Sequence, residues 1–162
     1  INTGAHGTVP PTVRDNEKTP EVVAMRKIVV GTDGSDNSIG AIRWALQEAR
    51  SHGASVDVVF AWEFPPVIDP LGVSMMPGVD EMNSSAEKLL SAAMKKVDVS
   101  GVSVTTRVLR GAPSTALIAG AKGADLLVIG KRGHGGFIGL LLGSVAQQVV
   151  HHAPCAVVVV PA

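Results

Sequence analysis

The run Gly130-Lys131-Arg132-Gly133-His134-Gly135-Gly136-Phe137-Ile138-Gly139-Leu140-Leu141-Leu142-Gly143-Ser144 holds six glycines in its first fourteen positions. Glycine lets a backbone amide approach a ligand closely and adopt positive φ. Gly143-Ser144 stands where a helix begins, and the unpaired amides and dipole of a helix start favour an anion. Ser144 adds a hydroxyl, and Lys131, Arg132 and His134 add positive charge nearby. These types in this order describe a phosphate cradle. A second chemical group, Asp33 with Thr32 beside it, closes the first apolar run, Lys27-Ile28-Val29-Val30-Gly31-Thr32-Asp33. An acidic residue at the end of a strand can accept hydrogen bonds from ribose hydroxyls. His151, His152 and Cys155 invite a metal reading, but adjacent helical residues point about 100° apart. The pair reads instead as the polar end of a helix, where histidine meets terminal carbonyls. Cys155 reads as a small buried residue, not a nucleophile.

The elements that must position these groups follow from periodicity. Ile39, Ile42, Leu46 and Ala49 mark a helix after the first strand, stopped at Gly53. Val56 to Trp62 is a second strand, followed by a proline-rich loop from Phe64 to Pro77 with a Met75-Met76 pair. Met82, Ala86, Leu89, Leu90, Ala93, Met94 and Val97 predict the longest amphipathic helix. Val102 to Leu109 alternates as a third strand, and Pro113 opens a short helix. Leu126 to Ile129 is an apolar fourth strand, Gly143 to His152 a helix, and Ala156 to Val160 a fifth strand. Strands alternating with helices imply right-handed crossovers and a parallel sheet covered on both faces. The expected class is therefore α/β, Rossmann-like. Ligands of such sheets sit beyond the carboxyl ends of the strands, where the strand order reverses. If strands one and four are neighbours, an adenosine near Asp33 can extend its phosphates onto the glycine loop.

The spacing Gly130-x2-Gly133-x9-Gly143-Ser144 resembles the ATP-binding signature of the universal stress protein family. The opening IVVGTDGS, the GAP after strand three and the closing LLGSVAQQVVHHAPCAVVVVP resemble it too, so the similarity runs from about Met25 to Pro161. The resemblance implies one open five-stranded sheet of order 3-2-1-4-5. It implies that Asp33 contacts the adenosine and that the backbone near Ala61 contacts the base. It also implies that Gly130, Gly133, Gly143, Ser144 and the amide of Val145 hold phosphates. The leading expectation is a regulatory ATP-binding module, with Mg2+ travelling on the phosphates and no metal site built by the protein alone. A slow ATPase or phosphotransfer enzyme, a cyclic-AMP binder and a pure protein-interaction module are the alternatives. Asp33 or Asp36 could hold a metal, but no catalytic base is identifiable. The Thr32–Ser38 turn faintly resembles the first loop of ATP pyrophosphatases, yet the richer glycine loop follows strand four.

Bulk properties narrow the setting. The 162 residues fit one domain, read as 24–162 behind an aperiodic amino-terminal arm, 1–23. Fourteen basic residues balance fourteen acidic ones, which is not the footprint of a nucleic-acid binder. Aromatics are 3% with no Tyr, too few for a base-stacking platform. One cysteine excludes an internal disulfide framework and suits a reducing compartment. With no signal-peptide core and no apolar run long enough to span a bilayer, the expected location is the cytoplasm, without membrane contact. The terminal strand 156–160 has no helix after it, and an apolar sheet edge invites pairing, so a homodimer through that strand is expected.

Overall fold

The computed structural model describes residues 24–64, 78–133 and 141–161. The arm, the Met75-Met76 loop and His134 lie outside them. Five strands and four helices alternate: β1 (Lys27–Thr32), α1 (Asp36–His52), β2 (Ser55–Trp62), α2 (Val79–Met94), β3 (Val104–Arg110), α3 (Pro113–Gly120), β4 (Leu126–Gly130), α4 (Ser144–His152) and β5 (Ala156–Val160). All pairings are parallel, and the order is β3-β2-β1-β4-β5. The class and order expected from the sequence are those observed. Val97 falls beyond the end of α2, and the third strand begins at Val104, two residues late.

Strand alternation divides the core into two layers. Ile28, Val30, Val56, Val58 and Val128 face α1 and α2 on one side. Val29, Val59, Leu127 and Ile129 face α3 and α4 on the other. Strands β1 and β4 are buried on both faces, which is why their sequences read as unbroken apolar runs. Strand β3 departs from that expectation: Thr105, Thr106 and Arg110 are exposed, because β3 is an edge that the helices only partly cover.

Local chemistry sets the helix ends. Ser35 caps α1 by accepting from the Ser38 amide at 3.3 Å, and Gly53 closes it in the left-handed region at φ 66°. Helix α2 has no basic residue in its last turn. Two arginines of α1 instead tie down the turn that follows α2: Arg43 donates to Lys96 O at 3.2 Å, and Arg50 to Ser100 O at 3.0 Å and Asp98 O at 2.6 Å. Asp57 on β2 receives Lys27 from β1 at 3.1 Å and Arg107 from β3 at 3.2 Å, tying three neighbouring strands.

The join between β1 and β4 is clipped at its amino end. Asp125 Oδ2 accepts from the amides of Arg26 at 2.8 Å and Lys27 at 2.9 Å, while the Asp125 amide donates to Lys27 O. Those two amides hold the carboxyl below the usual aspartate range. A group whose pKa is depressed by folding stabilises the fold above its unfolded value and loses that effect as pH falls through the folded one. Asp125→Ala is therefore expected to lower the melting temperature by a few degrees at pH 7. The gap to the wild type should shrink once pH drops below ~3.9, the ordinary aspartate value. Thermal melts of both proteins between pH 7 and pH 2.5 check this.

Candidate functional site

A cavity of about 410 Å3 opens where β1 and β4 end. The two strands pair only from Ile28–Leu126 to Val30–Val128, and beyond that point they separate. Its apolar walls come from Val59 and Ala61 on β2, Leu117 on α3, Ile129 on β4 and Val145 on α4. Thr32, Asp33, Lys131 and Arg132 supply the polar part of the rim, together with Gly130, Gly133, Gly143 and Ser144. Every described residue that the sequence nominated for nucleotide binding thus lines one cavity. Asp36 is not among its lining residues; it sits exposed in the first turn of α1, where an acidic group suits the dipole.

The polar turn between β1 and α1 is closely hydrogen-bonded within itself. Ser38 Oγ donates to Ser35 O at 2.9 Å, so the Thr32 hydroxyl donates to Ser38 Oγ, also at 2.9 Å. Thr32 Oγ1 in turn accepts from the Gly34 amide at 3.1 Å. Asp33 Oδ1 accepts from the Ser35 amide at 3.0 Å and the Ser35 hydroxyl at 2.6 Å. Thr32 and Ser38 are buried, and their mutual satisfaction is what makes that burial tolerable. The hydroxyl of Thr32 is accordingly part of the turn.

The glycines have distinct reasons to be glycine. None of Gly130, Gly133 and Gly143 has positive φ, so the freedom expected of them is not conformational. A Cβ on Gly130 would lie 3.1 Å from the backbone of Asn37, so this glycine lets β4 pass under the start of α1. A Cβ on Gly133 would collide with Asp33 Oδ2 and stand 3.3 Å from its Cγ. At Gly143 the nearest atom among the described residues would be Lys131 O at 3.5 Å, an ordinary contact. The Gly143 amide is not available to a ligand, because it donates to Lys131 O at 3.0 Å. The first capped bond of α4 runs from the Gln147 amide to Gly143 O. The amides of Ser144, Val145 and Ala146 therefore precede the helical ladder, and all three residues line the cavity. Gly143 is the N-cap, with no side chain to occupy those donors.

Residues 25–161 match the universal stress protein family. The chain belongs to that family. It is 38% identical over 138 residues to a universal stress protein of Thermus aquaticus, covering 83% of this chain and 98% of that one. It is 33% identical to the universal stress protein MJ0531 of Methanocaldococcus jannaschii, over 83% of this chain and 81% of the relative. A universal stress protein crystallised in complex with cAMP shares 32% identity and a TM-score of 0.65, over 85% and 98% of the two chains. The cavity of this family member also takes in residues that motif spacing passed over, notably Ser38 and Pro113. Ser38 was detectable as the third residue beyond a serine cap, and Pro113 as the last residue of the GAP motif.

The remaining candidates lie elsewhere. His151 and His152 are exposed in the last turn of α4, and no metal-holding group of three acidic, histidine or cysteine side chains exists among the described residues. Cys155 is half-buried against the α4 layer, and burial, with the Asp125 carboxylate, pushes its thiol pKa up. No helix among the described residues is long and apolar enough to cross a membrane.

The glycine geometry yields a stability contrast. Gly130→Ala should destabilise by about 1–3 kcal/mol, because backbone on the opposing side cannot yield cheaply. Gly143→Ser should change stability by only a few tenths of a kcal/mol, since serine is itself a good cap. Urea titration of the two variants distinguishes them, and an equal loss in both would contradict the assigned contacts.

Proposed function

We propose that this universal stress protein binds ATP or a related adenine nucleotide and acts as a regulatory module in the cytoplasm. One observation carries the reading: the uncapped start of α4 and the Asp33 carboxylate line the same cavity. In this reading Asp33 accepts from the ribose, and the β2 backbone at Ala61 reads the base edge. The apolar walls at Val59, Leu117 and Ile129 exclude water from around the base. The amides of Ser144 and Val145, with the Ser144 hydroxyl, hold phosphate oxygens. Lys131 and Arg132 add positive charge to the rim, and Gly130 and Gly133 let strand and loop close on the ligand. Thr32 shapes the turn that carries Asp33. The fit is supported by Gly143, where the fold tolerates a side chain but a ligand approaching the helix start would not. It is supported as well by the relative crystallised with cAMP. Mg2+ would accompany the phosphates and be held mainly by them.

The direct test is Gly143→Val. Its φ of −70° and ψ of 160° suit a β-branched residue, so the fold should survive. Calorimetric titration should show ATP affinity at least tenfold weaker, ~1.4 kcal/mol, with a melting temperature lowered by only a few degrees, the cost of a poor cap residue. Unchanged affinity in the folded variant would overturn the phosphate assignment.

We also propose a homodimer joined through β5. This strand pairs only with β4 in the sheet, and its other edge carries half-covered valines from Val157 to Val160. Two such edges related by a two-fold axis complete each other's backbone pairing. A Val158→Pro, Val159→Lys double variant should have half the wild-type mass by light scattering. A dimer that persists in that variant would place the interface elsewhere.

A further inference from the structure

The carboxylate of Asp33 is held from two sides. Its Oδ1 accepts both donors of Ser35, the amide and the hydroxyl. Its Oδ2 lies within clashing distance of the place a Cβ at 133 would occupy, so a side chain there requires the carboxylate to move. Ser35 is itself fixed, since its hydroxyl oxygen accepts from the Ser38 amide and its carbonyl from the Ser38 hydroxyl. A chain of donors therefore runs from the first turn of α1 through Ser35 to Asp33. We propose that Ser35 and Gly133 are positioning residues, which hold the Asp33 carboxylate in one orientation and thereby set preference for ligands with ribose hydroxyls.

The two residues act by different means. Ser35 contributes a charge-assisted hydrogen bond and a backbone amide, which together remove the rotational freedom of the carboxylate. Gly133 contributes only the absence of a side chain: one methyl group there must push Oδ2 aside, against the pull of Ser35 on Oδ1. A carboxylate so displaced keeps its charge but loses the geometry on which hydroxyl recognition depends. Neither residue needs to touch the ligand for this. Ser35 also has a structural duty as helix cap, so a simple loss of binding in Ser35→Ala would not separate the two roles. Ser35→Asp separates them, because aspartate caps a helix as well as serine yet repels Asp33. Ser35→Thr keeps both the cap and the donor.

This inference rests on the adenine-nucleotide reading, and its test is arranged to fail separately. Calorimetry would compare ATP with 2′,3′-dideoxy-ATP on the full chain. The wild type should prefer ATP by on the order of tenfold or more, the range of one hydrogen bond to a charged group. Ser35→Asp and Gly133→Ala should reduce that ratio to near one, while Ser35→Thr retains it. A wild-type ratio preserved in Ser35→Asp, or absent from a wild type that binds ATP, would overturn the proposal. A wild type that binds neither nucleotide would instead refute the nucleotide reading, and the ribose preference with it. The grip on Asp33 is judged without any ligand, by a double-mutant cycle in thermal stability. Gly133→Ala should lower the melting temperature in the wild-type background and leave it unchanged beside Asp33→Ala. An equal loss in both backgrounds would show that Gly133 does not act through Asp33.

Discussion

Pairing of β1 with β4 is the constraint on which the rest of the molecule depends. The ladder covers three positions, from Ile28–Leu126 to Val30–Val128, and is clipped at its lower end by Asp125. Because the chain reaches β4 only after building β2 and β3 on the other side of β1, the strand order reverses here. Helices following β1 and β4 must then leave toward opposite faces of the sheet, and a crevice opens between their connections. The early end of the ladder widens it. Gly31 stands at that divergence, where a Cβ would lie 2.8 Å from Leu117, so α3 packs directly on the last turn of the strand. The floor of the cavity is thus a product of backbone geometry before any polar side chain is considered.

Four glycines around this crevice do three kinds of work. Gly31 and Gly130 let pieces of the protein touch: strand against α3 in one case, strand against the start of α1 in the other. Gly133 makes room for the carboxylate of Asp33, whereas a Cβ at Gly143 would meet only ordinary contacts among the described residues. The last of these is the informative one. An N-cap is a position where serine, threonine or aspartate stabilises a helix, and α4 forgoes that gain. Leaving three amides without a side-chain cap beside a cavity open to solvent is a local cost that an anion would relieve. The same argument explains why the neighbouring turn is so thoroughly hydrogen-bonded: α1 has its cap, and its Ser35 also orients Asp33.

The two edges of the sheet are handled in opposite ways. Strand β3 is guarded by Thr105, Thr106, Arg107 and Arg110, the kind of polar edge that discourages further pairing. Arg107 is committed inward, to Asp57 and to Gly120 O at 3.2 Å. Arg110 lies over the rings of Trp62 and Phe64, at 6.0 and 5.1 Å from their centroids. Strand β5 has no such guard; four of its five residues are valines that the helices cover only in part. Among the described residues, one edge of the sheet is therefore polar and the other apolar.

Much of this was legible in the sequence because the underlying signals are local. Buried parallel strands must be apolar throughout, so Lys27 to Thr32 and Leu126 to Gly130 announce themselves as central strands. Gly53 and Pro113 mark helix ends by their own backbone preferences. The glycine loop, the end of the first strand and the family resemblance nominated the nucleotide-site residues, and all the described ones converge on one cavity. What spacing could not convey is which contact each residue makes. The collision that forces glycine at 133 involves a side chain one hundred positions away, and the one at 130 involves the backbone of Asn37. Thr32 reads as a ligand-facing hydroxyl until the tertiary structure shows its proton given to Ser38. Likewise the Gly143 amide reads as a phosphate donor, yet it donates to Lys131 O, and the amides that precede the α4 ladder are those of the next three residues. Sequence determined which elements form and which residues gather, since those follow from burial and local propensity. Only the tertiary structure decided which donors and spaces remain, because each is set by a partner far away along the chain.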